Sequence, residues 1–277
     1  MGNRPRISVV TPSFNQGRFL GACIRSVLSQ NYPNLEYIVI DGGSTDGSAE
    51  IIKSFEKDLA YWVSEPDAGH YETLNKGFRR ATGDILAWLN SDDMYTPWAF
   101  TVVADIFERL PQVEWLSTLY PLFWNETGAA TLCTQLPAFN RRAILRRGIG
   151  VQQESTFWRR SLWERAGGAL DASFKLAGDL DLWARFWEHA ELYGVAVPLG
   201  GLRLYGEERC PSHSRQYVAE AIVVGRHRRA DSALSRIGEG LHPLLPKRLR
   251  RFLMRVGLPY RYGGHVIRAD NGVWTVS

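Results

Sequence analysis

The sequence predicts an α/β protein with a doubly wound, mostly parallel β-sheet flanked by helices. In residues 6–110, short apolar runs typical of buried strands alternate with segments whose apolar residues recur at helical spacing. Four such pairs follow one another, and this order gives parallel strands joined by right-handed crossovers. Each apolar run ends in a polar turn, and such sheets bind ligands beyond the carboxyl ends of their strands.

The first strand is expected at residues 7–10, because Pro12 lacks the N–H that a central strand donates. Asn15 or Ser13 can then cap the first helix, and Asp46 or Ser48 the second. Further strands are predicted at residues 35–40, 61–63 and 85–89, and a last strand at 202–205.

Composition sets the class of the protein. The chain has 277 residues, 45% of them hydrophobic, which is enough for one large domain with an extension. It contains no run of about 18 apolar residues that could span a membrane, and no signal-peptide pattern. Its three cysteines are too far apart to form a disulfide framework or a metal knuckle. We therefore expect a cytoplasmic protein.

Residues 85–93 contain the strongest chemical signal. An apolar strand stops at Asn90 and Ser91, and the adjacent carboxylates of Asp92 and Asp93 follow. Such a pair is costly to desolvate, and Mg²⁺ or Mn²⁺ would remove that cost with help from substrate phosphates. The alternative is a solvated turn or helix cap, because a helix is predicted to begin shortly afterwards.

Seven segments together resemble the family-2 glycosyltransferases of the GT-A fold. They are V-V-T-P-S-F-N (9–15), S-V-L-S-Q (26–30), I-V-I-D-G-G-S-T-D-G-S (38–48), S-E-P-D-A-G (64–69), L-N-K-G (74–77), A-T-G-D (81–84) and L-N-S-D-D (89–93). Neither G-x-G-x-x-G after the first strand nor a P-loop pattern occurs, which argues against a dinucleotide-binding or P-loop protein.

The resemblance assigns roles to particular residues. Asp93, with Asp92, is expected to hold Mn²⁺ or Mg²⁺. The residues expected to bind the nucleotide-sugar donor are Thr11, Pro12, Ser13, Asn15, Asp41, Gly43, Asp67, Asn75, Lys76, Ser91 and Asp92. The family's usual second acid after the second strand is here Gly42, so its contact with the nucleotide base must come from Asp41, from Asp67 or from neither.

The second half contains two further similarities. Residues 151–160 resemble the family's Q-x-S/T-x-F-x-R-R segment, which precedes the acceptor site. Residues 178–185 resemble its E-D-x-D-L-x-x-R motif, with Gly178 in place of the glutamate and Asp179 at the position of the catalytic base. Considered without the resemblance, Asp179 could equally be a helix cap. A late histidine completes the metal shell in some relatives, and His213 is either that ligand or a solvated surface residue.

Residues 241–277 carry seven basic residues and one acidic residue, so the end of the chain is strongly basic. Within it, residues 246–256 have an amphipathic pattern. They are predicted to form either a helix docked on the catalytic domain or a helix lying on an anionic membrane. The chain is accordingly divided into a donor-binding half (1–110), an acceptor-binding half (111–215) and a basic helical C-terminal extension (216–277).

The resulting functional prediction is an inverting, metal-dependent glycosyltransferase that moves a sugar from a nucleotide-diphosphate sugar, with a UDP-sugar favoured, to an acceptor hydroxyl. The expected acceptor is a saccharide or a lipid-linked molecule in the synthesis of polysaccharide, lipid-linked oligosaccharide or glycoconjugate, and no nucleic-acid partner is expected. Two alternatives remain: a metal-dependent nucleotidyltransferase, and a non-catalytic sugar- or lipid-binding protein on the same fold.

Overall fold

The computed structural model describes residues 4–133, 136, 138–141, 144–145, 151–205, 215–227 and 264–277. His213 and residues 246–256 lie outside the described residues, so their predicted roles stay predictions. Among the helices of these ranges, none combines the length and the apolar character needed to cross a bilayer.

The strands and helices alternate through the first 110 residues as predicted. The strands are β1 (Ile7–Ser13), β2 (Leu35–Asp41), β3 (Tyr61–Ser64), β4 (Ile85–Trp88), β5 (Met94–Tyr95), β6 (Trp115–Thr118), β7 (Leu122–Trp124), β8 (Ala130–Cys133), β9 (Phe157–Arg159), β10 (Leu192–Val195), β11 (Gly200–Arg203), β12 (His265–Asp270) and β13 (Val273–Val276). The helices are α1 (Gly17–Leu28), α2 (Ser48–Ser54), α3 (His70–Phe78), α4 (Ala99–Arg109), α5 (Arg160–Arg165), α6 (Gly178–Phe186) and α7 (Arg215–His227), with 3₁₀ turns at Glu56–Asp58 and Gln153–Ser155.

The main sheet of the described residues has nine strands in the order β13-β12-β10-β6-β9-β4-β1-β2-β3. Strands β1, β2, β3 and β4 pair in parallel, as do β6, β10 and β12. Only β9, between β4 and β6, and β13 at one edge run antiparallel to their neighbours in this part of the chain. The mostly parallel α/β sheet is therefore confirmed, and the segments 1–110, 111–215 and 216–277 all contribute strands to it.

The prediction that the first strand ends before Pro12 was wrong. β1 continues to Ser13, and Pro12 lies opposite Ile40 in the ladder with β2. On its other side β1 pairs with β4 only as far as Val10. Beyond Val10 the strand therefore has one partner instead of two, and proline is tolerated where a strand has a free side.

The start of the first helix also differs from the prediction. Neither Ser13 nor Asn15 caps α1, and its first N–H, that of Gly17, donates to Oδ2 of Asp46 at 2.8 Å. The other oxygen of Asp46 accepts from the N–H of Ser48 at the start of α2, at 3.1 Å. One carboxylate thus holds the beginnings of two helices, each of which favours negative charge at its N-terminus.

Apolar side chains cover both faces of the sheet. One face packs against α3, α6 and α7, and the other against α1 and α4. Four completely or almost completely buried tryptophans form the centre of the first face: Trp88, Trp115, Trp158 and Trp183. The rings of Trp88 and Trp183 stack with centroids 5.7 Å apart and planes 7° apart. These tryptophans belong to the core and are not available to stack on a sugar.

A second sheet has the order β5-β11-β7-β8. The strand predicted at 202–205 is β11, shifted towards Gly200, and two more strands follow it. A Cβ atom on Gly200 would lie 2.6 Å from the carbonyl oxygen of Glu154, and one on Gly201 would lie 2.6 Å from that of Leu122. Gly200 therefore lets β11 approach the 3₁₀ turn that contains Glu154, and Gly201 lets β11 approach β7.

The end of the chain differs from the expected helical extension. Within 216–277, α7 is helical, but residues 265–276 form the hairpin β12-β13, which extends the main sheet through β10. Its turn is Asn271-Gly272, with φ of 49° and 77°. Asn-Gly is the dipeptide preferred where both turn residues need positive φ.

Candidate active site

The carboxyl ends of β1–β4 lie at one edge of the sheet, and the turns after β1 and β2 are joined there. The N–H of Gly42 donates to the carbonyl oxygen of Ser13 at 2.8 Å. The N–H of Asn15 donates to Oγ of Ser44 at 2.8 Å, and Oδ1 of Asn15 accepts from the N–H of Thr45 at 2.9 Å. The two turns therefore form one unit at the edge where parallel sheets bind ligands.

Asp41, at the end of β2, is fully buried and uses both carboxylate oxygens inside the protein. Oδ2 accepts from the N–H of Ser44 at 2.9 Å and from Oγ of Ser64 at 2.7 Å, while Oδ1 accepts from Oγ of Ser44 at 2.6 Å. These bonds fix the shape of the turn. Asp41 therefore lies beneath the predicted donor-binding surface and fixes the conformation of the turn that forms it.

The Asp67 carboxylate lies beside Gly42, which is the position of the family's second acid. A Cβ atom built on Gly42 would be 2.5 Å from Oδ2 of Asp67, so the Asp67 carboxylate occupies the space that a side chain at position 42 would need. Asp67 is exposed, its Oδ1 accepts from the N–H of Gly69 at 2.9 Å, and its Oδ2 accepts from Oγ1 of Thr73. Gly43 beside it has φ of +79°, which favours glycine. Of the alternatives that the sequence left open, this geometry favours Asp67.

Other predicted donor-binding residues of β1 are enclosed by the fold. Thr11, Pro12 and Ser13 are buried, and Oγ1 of Thr11 lies 3.0 Å from the hydroxyl of Tyr37. The next residue, Phe14, is 61% exposed although it is large and apolar. Sequence reasoning did not single out Phe14, yet its side chain is accessible at this turn, as is that of Asn15.

Asn75 and Lys76 are held by protein partners. Nδ2 of Asn75 donates to the carbonyl oxygen of Leu170 at 2.9 Å, and its Oδ1 accepts from the N–H of Leu170 at 2.8 Å. Lys76 forms an ion pair with Glu65. Asn75 thus joins the two halves of the chain through its amide, and a donor contact by either residue stays a prediction.

Asp93 is fully buried beneath the turn after β4. Its Oδ1 accepts from the N–H of Arg203 in β11 at 2.8 Å, and Nδ2 of Asn90 lies 3.4 Å from its Oδ2. Ser91 is buried beside it. Burial raises the pKa of Asp93 well above its usual range, and the charges of Asp92 and Glu154 add to this effect.

Asp92 is half-buried and more accessible than Asp93. Its Oδ2 accepts from the hydroxyl of Tyr205 at 2.9 Å, and that hydroxyl accepts from Nε2 of Gln16 at 3.1 Å. The guanidinium of Arg203 holds the backbone here: Nε donates to the carbonyl oxygen of Asp92 at 2.6 Å, and Nη1 to that of Asn125 at 2.7 Å. Residues at and just after the end of β11 therefore orient the predicted metal turn.

Glu154 is a third carboxylate near this turn, and sequence reasoning did not single it out. Its side chain is 4% exposed, and its Oε1 has no hydrogen-bond partner. Burial raises the pKa of Glu154, and the charges of Asp92 and Asp179 add to that rise, whereas the N–H of Leu202 opposes it. Glu154 is therefore close enough to both Asp92 and Asp179 to link them electrostatically. We call Asp92, Asp93, Glu154 and Asp179 the acidic cluster.

The acidic cluster has the charge that a divalent cation requires. In the described part of the chain, the ion pairs involve other acids, and no basic side chain pairs with a carboxylate of the cluster. The same residues contain no group of three or more metal-binding side chains arranged around one point. Mg²⁺ and Mn²⁺ often use one or two carboxylates, with waters and substrate phosphates completing the shell. Asp92 and Asp93 fit a cation held in that way.

Asp179 lies in the first turn of α6, as predicted, and Tyr71 of α3 fixes the chain on its N-terminal side. The Tyr71 hydroxyl donates to the carbonyl oxygen of Leu176 at 2.8 Å and accepts from the N–H of Gly178 at 2.9 Å. A Cβ atom on Gly178 would lie 2.7 Å from the Tyr71 ring. Tyr71 thus fills the place of the glutamate that the family motif has before Asp179.

The Asp179 carboxylate is half-buried, and Oδ1 accepts from the N–H of Leu180 at 2.7 Å. Burial raises the pKa of Asp179 to about 6; the backbone N–H groups oppose this rise, and the charge of Glu220 adds to it. A carboxylate with a pKa near the working pH can accept a proton and release it again. The other acid of this turn, Asp181, pairs with Arg185 at 2.9 Å.

The arginine pair that ends residues 151–160 has a structural role. Nε of Arg159 donates to the carbonyl oxygen of Val113 at 2.8 Å, and Nε of Arg160 donates to that of Gly83 at 2.9 Å. These contacts join the end of β9 and the start of α5 to the chain just before β6 and just before β4. The residue of this segment that lies in the acidic cluster is Glu154.

Comparisons with known proteins agree with this arrangement. The profile of glycosyl transferase family 2 matches residues 8–122. An uncharacterized glycosyltransferase of Mycobacterium tuberculosis is 35% identical over 181 residues, which cover 65% of this chain and 68% of that protein. TuaG of Bacillus subtilis, whose name assigns it provisionally to teichuronic acid biosynthesis, is 36% identical over 95 residues, covering 33% of this chain and 38% of TuaG.

Solved structures show the same fold at low sequence identity. S. aureus TarS 1–349 in complex with UDP-GlcNAc has a TM-score of 0.62 at 15% identity, covering 79% of this chain and 66% of TarS. In a second TarS 1–349 structure the match spans only 60% of the TarS chain. The mannosyltransferase PcManGT of Pyrobaculum calidifontis, in complex with GDP-Man and Mn²⁺, has a TM-score of 0.55 at 18% identity. The match covers 91% of this chain and 84% of PcManGT. The chain belongs to glycosyl transferase family 2 and has the GT-A fold.

Proposed function

We propose that this protein is an inverting glycosyltransferase that transfers a sugar from a nucleotide-diphosphate sugar to an acceptor hydroxyl, with Asp179 as the general base. The observation that carries the proposal is the half-buried Asp179 carboxylate, whose pKa burial raises to about 6 and which lies near Glu154, the acid that is also near Asp92 and Asp93. Family membership favours this reading over a nucleotidyltransferase.

The chemistry is a single displacement. The acceptor hydroxyl gives its proton to the Asp179 carboxylate as its oxygen forms a bond to the anomeric carbon. The bond from that carbon to the diphosphate oxygen breaks, and its electron pair leaves with the diphosphate. Attack opposite the leaving group inverts the anomeric centre. Mn²⁺ or Mg²⁺ on Asp93 and Asp92 would supply the positive charge that stabilises the leaving diphosphate.

The donor is proposed to lie over the joined turns of β1 and β2, with Asp67 facing the nucleotide base. A carboxylate accepts hydrogen bonds, so it suits a base with a ring N–H, such as uracil or guanine. A UDP-sugar is the favoured donor, and solved GT-A structures hold UDP-GlcNAc or GDP-Man. The proposed acceptor is a saccharide or lipid-linked molecule of the cell envelope, which the name of TuaG supports.

Asp179→Asn tests the proposal against Asp181→Asn as its matched control, because both variants remove one charge from the same helical turn. Asp179→Asn should bind nucleotide as the wild type does but lose transfer by roughly 10²–10⁴-fold, the usual effect of losing a general base. Asp181 is paired with Arg185, so Asp181→Asn should keep most of its activity. The donor is first identified by hydrolysis of a panel of UDP-, GDP- and dTDP-sugars. Full activity of Asp179→Asn would show that another group is the base.

A further inference from the structure

Helix α7, in the predicted C-terminal extension, lies next to the loop before Asp179. Its inner face is formed by Tyr217, Ala221 and Val224, which are buried in the same core as Trp183 of α6. Their spacing of four and three residues is that of one helix face. Packing of this face fixes where the polar side chains of α7 point.

Glu220 of α7 reaches the backbone of the loop that leads into α6. Its Oε2 accepts from the N–H of Lys175 at 3.2 Å, of Leu176 at 2.9 Å and of Ala177 at 2.9 Å. Its Oε1 accepts from Nε2 of Gln216 at 3.1 Å. Three consecutive N–H groups converging on one oxygen leave the loop little freedom, because charge-assisted bonds of this kind are about twice as strong as neutral ones.

The same loop is held from the opposite side. Tyr71 of α3 binds the carbonyl oxygen of Leu176 and the N–H of Gly178. The loop is therefore clamped between a helix of the donor half and a helix of the C-terminal extension, and Asp179 follows directly after the clamped residues.

We propose that Glu220 is a positioning residue, through which helix α7 fixes the loop that carries the general base and keeps Asp179 aimed at the acceptor hydroxyl. The inference rests on the proposed role of Asp179. It gives the C-terminal extension a part in catalysis, since an error of about 1 Å in the position of a reacting group can cost roughly 10²-fold in rate.

Glu220 also acts on Asp179 through its charge. Partial burial alone would raise the pKa of Glu220, but the N–H groups of the loop and Gln216 outweigh it and hold that pKa below its usual range. Glu220 is therefore ionised near neutral pH, and its charge favours the protonated form of Asp179. Among the described residues, the other titratable groups near Asp179 are Glu154, beside β9, and Tyr71 of α3.

Two substitutions separate the roles of charge and geometry. Glu220→Gln keeps an oxygen that can accept from the loop but removes the negative charge, so kcat should stay near wild type while the acid limb of the pH–rate profile moves to lower pH. Glu220→Ala removes the acceptor as well, so kcat should fall roughly 10- to 100-fold, with the KM for the nucleotide sugar unchanged. Glu50→Gln, which changes an exposed acid of α2, is the control for net charge and should match wild type.

The measurements are hydrolysis of the best nucleotide sugar of the panel at a series of pH values, and UDP binding for each full-length variant. An acid limb of Glu220→Gln that coincides with that of wild type would overturn the inference, as would wild-type kcat in Glu220→Ala. If Glu220→Ala does not fold, the pH profile of Glu220→Gln decides alone. Loss of transfer in Asp179→Asn together with an unshifted Glu220→Gln profile would refute only the role of Glu220. Full transfer by Asp179→Asn would instead refute the proposed base.

Discussion

Asp41 and Asp93 are both fully buried aspartates near the carboxyl end of a strand, but their surroundings differ. Asp41 accepts three hydrogen bonds from Ser44 and Ser64, so its burial is compensated within the fold. Asp93 receives one backbone N–H at close range and faces the charges of Asp92 and Glu154, which together with burial raise its pKa. A carboxylate left in this state costs stability until a cation arrives. Asp41 is therefore compensated within the fold, whereas Asp93 is the aspartate predicted to bind the cation.

The strongest test of this difference compares Asp93→Asn with Asp41→Asn. Asp93→Asn keeps an oxygen for the N–H of Arg203 and removes an uncompensated buried charge. Transfer and Mn²⁺-dependent nucleotide binding should be lost, the former by roughly 10³-fold or more, because several kcal/mol of charge stabilisation disappear.

The folded-state pKa of Asp93 is raised, so this group binds its proton more tightly in the folded state and opposes folding as pH rises. In EDTA at neutral pH, Asp93→Asn should therefore melt at or above the wild-type Tm.

Asp41→Asn should show the opposite sign. Its new NH₂ group would face a donor where an oxygen now accepts, which costs about 1–3 kcal/mol for a buried unsatisfied group. The Tm should fall, and the residual activity should track the folded fraction. Thermal melts with and without Mn²⁺ and UDP measure both variants. A fall in Tm for Asp93→Asn as large as that for Asp41→Asn would mean that both aspartates are structural.

The next test exchanges an acid between two positions. If the Asp67 carboxylate replaces the family's acid at Gly42, Asp67→Ala should weaken UDP binding by roughly 10- to 100-fold, since a hydrogen bond to a charged group contributes roughly 1.5–3 kcal/mol. All three atoms that crowd position 42 belong to the Asp67 carboxyl group, so Gly42→Asp should be accommodated once Asp67 is alanine. The double variant should regain affinity.

Titration calorimetry with UDP, GDP and CDP makes this test specific. Cytosine has no hydrogen on its ring N3, so CDP should bind weakly to wild type and be unaffected by Asp67→Ala. Wild-type UDP and GDP affinity in Asp67→Ala would remove Asp67 from the donor site. Recovery in the double variant, but not in Gly42→Asp alone, would place the nucleotide base beside position 42.

The sequence predicted the donor half well because its information is local. Apolar runs, helical spacing and turn residues each lie within about a dozen positions, so the order from β1 to α4 could be inferred. One exception, Pro12, depended on how far β4 extends beside β1, which only the three-dimensional pairing determines.

The second half was predicted poorly because its strands are short and its contacts are distant along the chain. β9 has three residues and enters the centre of the sheet, and β11 begins with two glycines that lower its β-propensity. The Asp92-Asp93 turn lies close to three residues that are more than 60 positions away along the chain: Glu154, Arg203 and Tyr205. One signal was present and was not used: Asn271-Gly272 between two apolar segments is typical of a hairpin.

The smallest expected effect concerns residues 246–256, which lie outside the described residues. The stretch alternates an apolar stripe with basic side chains, and the basic residues are Lys247, Arg248, Arg250, Arg251 and Arg255. If it meets a membrane, the C-terminal extension would serve a lipid-linked acceptor in addition to holding Asp179. If it docks on protein, residues 246–256 are a structural element.

Liposome flotation distinguishes the two cases. Each basic side chain near an anionic leaflet contributes about 1 kcal/mol, and the apolar stripe of four residues is too narrow to anchor the protein alone. Binding should therefore be reversible, stronger on phosphatidylserine-containing vesicles than on neutral phosphatidylcholine vesicles, and weaker as salt is raised. Arg250→Gln with Arg251→Gln should weaken binding to anionic vesicles without altering hydrolysis of the nucleotide sugar in solution. Equal binding to both kinds of vesicle would exclude the electrostatic mechanism, and no binding to either would assign the apolar stripe to a protein contact.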